Sequence, residues 1–292
     1  DSFTYWLNTI ETYGGGSPVI LVMNKADERT KRINEYGLSE KFSMAVAARY
    51  ISSNLKIVSD VGDASPASTF AIDVAGFFQS EEIAFNEFNG RWRAGFNIQN
   101  LGPKISYDND EFNNNFIPAN LKIGNAFTVK LDDFNSITWS TDFQKLLVPT
   151  PPRYNKTTKE IVAGQSSDVG TIAGMLQSFH DAPGAAQKDD SGNILYNSDG
   201  TEKIVKGSKL KEELNEINIA TGFEYWYNNL FALRAGVFYE ASTKGNRQFY
   251  NAGVGLKYNA FMIDISYLGS LNGRQSPLAN TLRFSMRMTL GQ

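Results

Sequence analysis

Apolar and polar residues alternate in ten separate segments from Phe42 to the end of the chain, and this feature most constrains what the sequence can fold into. Successive side chains of a β-strand point to opposite faces, so a period of two predicts strands with two chemically different faces. In the last segment every second residue from 282 to 290 is apolar, while polar residues such as Arg283 and Arg287 lie between them. The pattern therefore predicts an all-β protein.

Two architectures fit such strands: a soluble sandwich and an up-and-down transmembrane β-barrel. Short joins at residues 132–135, 227–230 and 259–260 alternate with long polar links at 100–118, 241–248 and 269–280, as in a barrel with short periplasmic turns and long outer loops. Aromatic residues gather near the short joins, where a membrane barrel carries an interfacial girdle. They are Phe134, Trp139, Tyr225, Trp226, Tyr227, Tyr258 and Phe261. The pattern favours the antiparallel barrel, with ordinary core aromatics as the alternative interpretation.

Composition excludes several other classes of protein. The chain has no cysteine and a single histidine, His180, which leaves little for disulfide, zinc or triad chemistry. A net charge of -3 without a basic cluster argues against nucleic acid as a partner. No apolar run reaches the roughly 18 residues of a membrane-spanning helix. We therefore expect no enzyme and no cofactor.

Charged residues on the polar faces of the predicted strands would point into a barrel, where they must pair or meet water. We expect them to form a structural network in the lumen. They are Asp73, Arg91, Arg93, Asp142, Glu224, Arg234, Asp264, Arg283 and Arg287.

The longest link runs from about residue 148 to 213 and would be an extracellular loop. Three prolines open it, a short helix is expected near residues 169–180, and a polar tract follows. Insertions of this length inside a barrel are functional or disordered. We expect both here.

Residues 1–39 predict a different architecture, a short α/β segment with a helix at 2–13 and a buried strand at 18–23. Asn24, Lys25 and Asp27 follow that strand, where a GTPase places its guanine-binding loop. Over residues 1–37 the sequence resembles the end of a Roc-type GTPase domain, which implies cofactor-binding roles for these three residues. The chain has no G-x-x-x-x-G-K-S/T phosphate loop, so we expect the motif to be non-functional.

From about residue 40 to 292 a series of motifs resembles the PorV family of outer-membrane barrel proteins, which is related to the FadL transporters. The motifs are RYISSNL at 49–55, LGPKISY at 101–107, FIPANL at 116–121, KLLVPTPP at 145–152, SFHDAPG at 178–184, EYWYN at 224–228, KGNRQ at 244–248 and NTLRF at 280–284. The tract at about 187–209 looks like an insertion. The resemblance implies a barrel of about fourteen strands, so with ten recognisable here we expect the N-terminal strands to be missing.

The resemblance also implies a function in the type IX secretion system of Bacteroidota, in the outer membrane. PorV-like proteins bind the C-terminal signal domains of secreted cargo and carry them from the translocon to the sortase attachment complex, with outer-membrane lipid as the surrounding partner. Candidate cargo surfaces are residues 103–118, 150–180 and 269–277. The FadL kinship implies an alternative function, transport of hydrophobic small molecules.

Overall fold

The computed structural model describes residues 41–53, 67–106, 114–273 and 280–289. Within them the chain forms long strands joined by turns and loops, with two short helices. The elements are β1 (Phe42–Ser53), β2 (Ala67–Gln79), β3 (Ile83–Ala84), β4 (Asn89–Leu101), β5 (Asn120–Lys130), β6 (Asn135–Leu146), β7 (Arg153–Tyr154), β8 (Ile161–Ala163), α1 (Thr171–Gln177), α2 (Ser208–Asn215), β9 (Ile217–Tyr227), β10 (Phe231–Tyr239), β11 (Gln248–Tyr258), β12 (Phe261–Ser270) and β13 (Thr281–Met288).

Ten of these strands form one meander in the order β1-β2-β4-β5-β6-β9-β10-β11-β12-β13, and every neighbouring pair is antiparallel. The short β3 pairs with β4, and β7 and β8 form a separate hairpin. This is the up-and-down, barrel-type sheet that the alternation predicts, with the ten strands expected. Over the described residues β1 and β13 are the edges of the sheet and do not pair with each other.

Local hydrogen bonding explains the short turns, which all lie at one end of the sheet. In the β5–β6 turn the Asp132 carboxylate accepts hydrogen bonds from the backbone N–H groups of Phe134 and Asn135 at 2.8 and 2.7 Å. The Asn135 side chain and these amides lower the pKa of Asp132. Asn228 and Asn259, in the β9–β10 and β11–β12 turns, have φ near +51°, a left-handed conformation that asparagine tolerates.

The two faces of the sheet are inverted relative to a soluble protein. Most large apolar side chains of the strands lie on the exposed outer face, as illustrated by Phe223 at 59% exposure and Met286 at 72%. Most charged side chains of the strands lie on the opposite face, where Arg49 pairs with Asp73 and Arg234 with Glu224 and Asp264. A soluble sandwich buries its apolar face, so this arrangement requires a surrounding apolar medium, as a barrel in lipid has.

Exposed aromatic residues lie at both ends of the outer face. Tyr258 and Phe261 lie beside the short turns, and the ring pairs Tyr50–Phe70 and Tyr250–Tyr267 lie near the long loops. Two such rings of aromatics are expected at the two interfaces of a bilayer. Trp226 is an exception to the predicted girdle: it lies on the inner face, because even-numbered residues of β9 share the face of Glu224.

Two clusters of buried apolar side chains lie at the long-loop end rather than in the middle of the sheet. One contains Ala67, Ala71, Ile105 and Ile117, and the other Ala119, Leu147 and Met175. They anchor the long loops to the ends of the strands.

The long link between β6 and β9, residues 147–216, is called the outer loop from here on. It contains β7, β8 and both helices, and α1 confirms the helix expected near 169–180. The expectation of disorder is wrong, because the polar tract at 187–209 forms backbone bridges Ala186–Ile204, Lys188–Ile194 and Tyr196–Glu202. In the part of the chain that the structure describes, no helix is long and apolar enough to cross a membrane.

Candidate functional site

The sequence-predicted base-recognition residues Asn24, Lys25 and Asp27 lie outside the described residues. The candidate site built by the described residues is instead the outer loop. It is held to the strand ends by ion pairs and buried side chains, and it exposes apolar residues.

The polar tract of the outer loop folds back on itself as an arch. Asp189 closes its first turn by accepting hydrogen bonds from the backbone N–H groups of Ser191 and Asn193 at 2.9 and 2.8 Å. These bonds and one from the Asn193 amide lower the pKa of Asp189. Asp199 closes the second turn in the same way, through the N–H and hydroxyl of Thr201. Turn-forming Asp, Asn, Ser and Gly residues therefore make this tract a folded hairpin.

Arg153 joins the β7–β8 hairpin to the arch. Its guanidinium donates to the carboxylate of Glu202, with Nη2 and Nε at 2.6 and 2.9 Å from Oε2, and Nη1 donates to the carbonyl of Gly184 at 2.7 Å. The Glu202 side chain is only 4% exposed. A forked donor with a nearly buried acceptor fixes the relative position of the two segments.

A cluster of five charged residues holds α2 to the barrel rim and is called the rim cluster. Lys145, at the end of β6, lies 2.6 Å from Glu216 and 3.4 Å from Glu213. Lys244, in the β10–β11 loop, lies 2.8 Å from Glu216 and 3.2 Å from Glu212. The cluster thus connects β6, the C-terminal half of α2 and the β10–β11 loop.

The rim glutamates also bond to the backbone of the outer loop. Glu213 accepts from the N–H of Ala182 at 2.7 Å, and Glu212 accepts from the N–H of Gly184 at 2.9 Å. The buried Asp181 accepts from the N–H of Thr150 at 3.0 Å. These three carboxylates therefore accept hydrogen bonds from backbone N–H groups of the outer loop that have no partner in a helix or strand.

The pKa values in the rim cluster reflect its pairing. Burial alone would raise the pKa of Glu216, but hydrogen bonds from Lys145, Lys244 and Thr150 outweigh it and lower the pKa. Burial alone would lower the pKa of Lys244, but its bonds to Glu216 and Glu212 raise it. Both groups are charged at neutral pH, so the cluster is a set of ion pairs there.

Helix α1 has one buried and one exposed side. Gly174 faces Phe116 and Pro149, which leave no room for a larger side chain, and Met175 packs on Ala119 and Leu147. On the other side Ile172 and Leu176 are 70% and 65% exposed, and Phe179 follows at 48%. This apolar patch of Ile172, Leu176 and Phe179 is called the α1 patch.

Of the three predicted cargo surfaces, residues 150–180 contain the α1 patch. The described part of residues 103–118 packs against the strand ends instead, with Ile105 and Ile117 buried. In residues 269–277 Leu271 is exposed, and residues from 274 onward lie outside the described part.

The inner face carries the predicted lumen network. Arg234 donates to Glu224 at 2.6 Å and to Asp264 at 2.5 Å, and its guanidinium lies 5.5 Å from the centre of the Trp226 ring. Arg93 instead donates to Gln79 and Thr128, at 2.9 and 2.8 Å. The remaining predicted members are Arg91, which lies 3.6 Å from Glu82, Asp142 beside Gly124, and Arg283 and Arg287 on the inner face of β13.

Sequence reasoning missed Arg49 as a member of this network. Its guanidinium pairs with Asp73 at 2.5 Å, and the other oxygen of Asp73 accepts from the N–H of Asn100 at 2.8 Å. Alternation in β1 does predict this position, because Val46 and Tyr50 lie on the outer face and Arg49 therefore lies on the inner one.

We expect Gly255→Ala to destabilise the inner network by about 1–3 kcal/mol, because overpacking a filled site forces its neighbours to shift. A Cβ at this position would lie 2.5 Å from Oδ1 of Asp264 and 2.9 Å from Nη1 of Arg234. Denaturant unfolding in lipid vesicles measures the change. Gly170→Ala is the control, since nothing lies within 4 Å of its added methyl group. Equal stability of the two variants would contradict the packing argument.

The antiparallel meander, the exposed apolar outer face and the paired charges of the inner face define an outer-membrane-type β-barrel protein. Residues 20–153 match the family described as Type IX secretion system protein PorV. The match confirms the resemblance that the motifs up to residue 152 indicated. By its description, the matched family is a protein of the type IX secretion system.

The matched part is a little under half of the chain and begins inside the segment that resembles a Roc-type GTPase. No curated protein matches the chain. The GTPase-like interpretation of residues 1–39 and the boundary near residue 40 stay predictions.

Proposed function

We propose that the chain binds the C-terminal signal domains of type IX cargo at the outer membrane and carries them from the translocon to the sortase attachment complex. The family match supports a place in this system. The observation that carries the binding role is the α1 patch, three large apolar side chains left exposed on a loop that is otherwise fixed to the barrel rim.

The α1 patch has the properties of a docking surface for a folded domain. Apolar residues exposed together on a rigid support mark interaction sites more often than isolated ones do. The rim cluster and the Arg153–Glu202 pair hold the loop in place, so binding costs little conformational entropy. A folded cargo domain with an apolar surface is the partner that fits this patch.

Replacing Ile172 and Leu176 together with aspartate tests the proposal. Each buried aliphatic side chain contributes about 1.5–3 kcal/mol to an interface, so the double variant should weaken cargo binding at least tenfold. The measurement is the affinity of an isolated cargo signal domain for the barrel in lipid nanodiscs. Leu131→Asp is the matched control, because Leu131 is also about half exposed but lies in a short turn at the other end.

Unchanged affinity in the double variant, with normal heat-modifiable migration to confirm folding, would rule out the α1 patch as the cargo site. If the unaltered chain retained no cargo domain, the shuttle function itself would be wrong.

The alternative, transport of a hydrophobic small molecule, has less support from the inner face. A path for such a ligand requires an apolar lining, whereas Glu224, Arg234, Asp264 and the Arg49–Asp73 pair place charges there. Uptake of a fatty acid into proteoliposomes above the level of empty vesicles would favour the alternative.

A further inference from the structure

Part of the outer loop packs against the outward-facing side of the strands, not only across the end of the sheet. Lys145 pairs across the sheet with Leu121 and Ile217, in the column of outward-facing residues that contains Phe143 and Ile219. Its ammonium group nevertheless contacts Glu213 of α2 and Glu216 just after the helix. The C-terminal half of α2 is therefore fixed against an outward-facing position.

Helix α1 gives a second, independent contact with the same side. Met175 belongs to the buried cluster against which Ile98 and Leu121 pack, and these two residues are register partners on the outer face. Phe179, which follows α1, lies with its ring centre 5.6 Å from the Lys145 ammonium group. Both helices thus overhang the wall formed by β4, β5, β6 and β9.

Helix α2 is amphipathic in this position. Glu212 and Glu213, with Glu216 one turn later, are occupied by lysines and backbone N–H groups of the rim. On the side away from them, Leu210 and Leu214 lie one turn apart and are 66% and 58% exposed. Lys211 lies beside Leu214 around the helix, whereas the side chain of Lys209 packs near Gly184 of the outer loop.

The outward-facing wall directly next to the rim is apolar. Phe143 and Ile219 form the pair before Lys145 and Ile217, and they are 42% and 36% exposed. Lys145 belongs to the next residue pair of this wall, and its ion pair with Glu216 holds α2 beside it. We therefore expect lipid that covers Phe143 and Ile219 to reach the level of α2. Leucines on one side of a helix with lysines beside them are typical of helices that lie in a membrane interface.

We propose that α2 lies in the outer membrane interface, with Leu210 and Leu214 among lipid acyl chains and Lys211 beside anionic headgroups. The proposed lipid contact involves α2 and not the α1 patch. It stands whether or not the chain binds cargo.

The absence of cysteine from the chain allows a direct test with single labels. Leu214→Cys is labelled with the environment-sensitive fluorophore NBD, and the full chain is reconstituted in vesicles of phosphatidylethanolamine and phosphatidylglycerol. Phe143→Cys on the wall and Ser191→Cys at the tip of the arch are the lipid-facing and water-facing references. Lipids with a nitroxide near the headgroup and aqueous iodide are the two quenchers.

The expected result is that the label at 214 emits at shorter wavelength than the label at 191, is quenched by the nitroxide lipid and is protected from iodide. Lys211→Ala should reduce lipid quenching in anionic vesicles, and less so in vesicles without phosphatidylglycerol. Iodide quenching at 214 equal to that at 191 would overturn the proposal, because the helix would then face water. A blue-shifted label that resists both quenchers would also overturn it, since a protein surface would then cover α2.

Discussion

Replacing Val254 with arginine is expected to lower the free energy of unfolding in a bilayer by about 2–4 kcal/mol. Val254 lies near the middle of β11 and pairs on the outer face with Leu233 and Ile265. It is 40% exposed, and in a soluble protein a substitution at so exposed a position would change stability by about 0.5 kcal/mol or less. The large loss arises because arginine at the bilayer centre must give up its hydration. Guanidinium unfolding of the chain in phospholipid vesicles measures it.

Asn251→Arg is the matched control for this prediction. Asn251 lies three residues away on the same strand but faces the inner side, opposite Gly236 and Leu268, and is exposed there. Arginine at this position meets the polar lumen, so we expect a change below about 1 kcal/mol. If the two variants lost equal stability, or Val254→Arg lost none, the outer face would not be the lipid-facing one.

The features that sequence predicted well are those that depend on a period of two. Alternation in the segments around Phe223 and Phe284 placed these residues on one face without knowledge of any partner strand, because a strand has no other way to segregate its side chains. The short turns followed for a similar reason, since Asp132 and Asn259 form tight turns through their own side-chain and backbone preferences. The prediction that Trp226 belongs to the outer girdle is wrong, because it rests on aromatic character alone. The alternation in β9 puts residue 226 on the same inner face as Glu224.

The outer loop was less predictable because its structure depends on contacts between distant residues. Arg153 meets Glu202, and Lys145 meets Glu216, across 49 and 71 residues of sequence. No local pattern indicates such pairs, so a polar tract of Asp, Gly, Lys and Ser predicted disorder where the chain forms a hairpin arch. The exposed side of α1 was likewise hidden, because its helical spacing alone does not say which side packs on Leu147.

The rim cluster gives the second large effect, because Lys145→Met should detach the outer loop from the barrel wall. Lys145 is 7% exposed, and its removal leaves Glu213 and part of Glu216 as poorly compensated charges in a largely buried place. Breaking a buried ion pair in this way costs about 3–5 kcal/mol, and because Lys244 and Thr150 still contact Glu216 we expect the lower end of that range. Protection of residues 147–216 from hydrogen exchange and proteolysis should fall while the strands stay protected. Lys244→Met is the control, and its more exposed side chain predicts a loss of about 1 kcal/mol or less.

The pH dependence of loop protection separates this ionic mechanism from a simple loss of packing. Because the folded pKa of Glu216 is lowered below 4.5, its contribution is complete above that pH and is lost as the pH falls through the folded value. Acid should therefore weaken the loop of the unaltered chain. In Lys145→Met the ion pair between Lys145 and Glu216 is already absent, so acid removes less from the variant than from the unaltered chain and should narrow the difference in loop protection between them. If the difference in loop protection between the two chains stayed constant from pH 7 to about pH 4, Lys145 would act through its packing against Phe179 rather than through its charge.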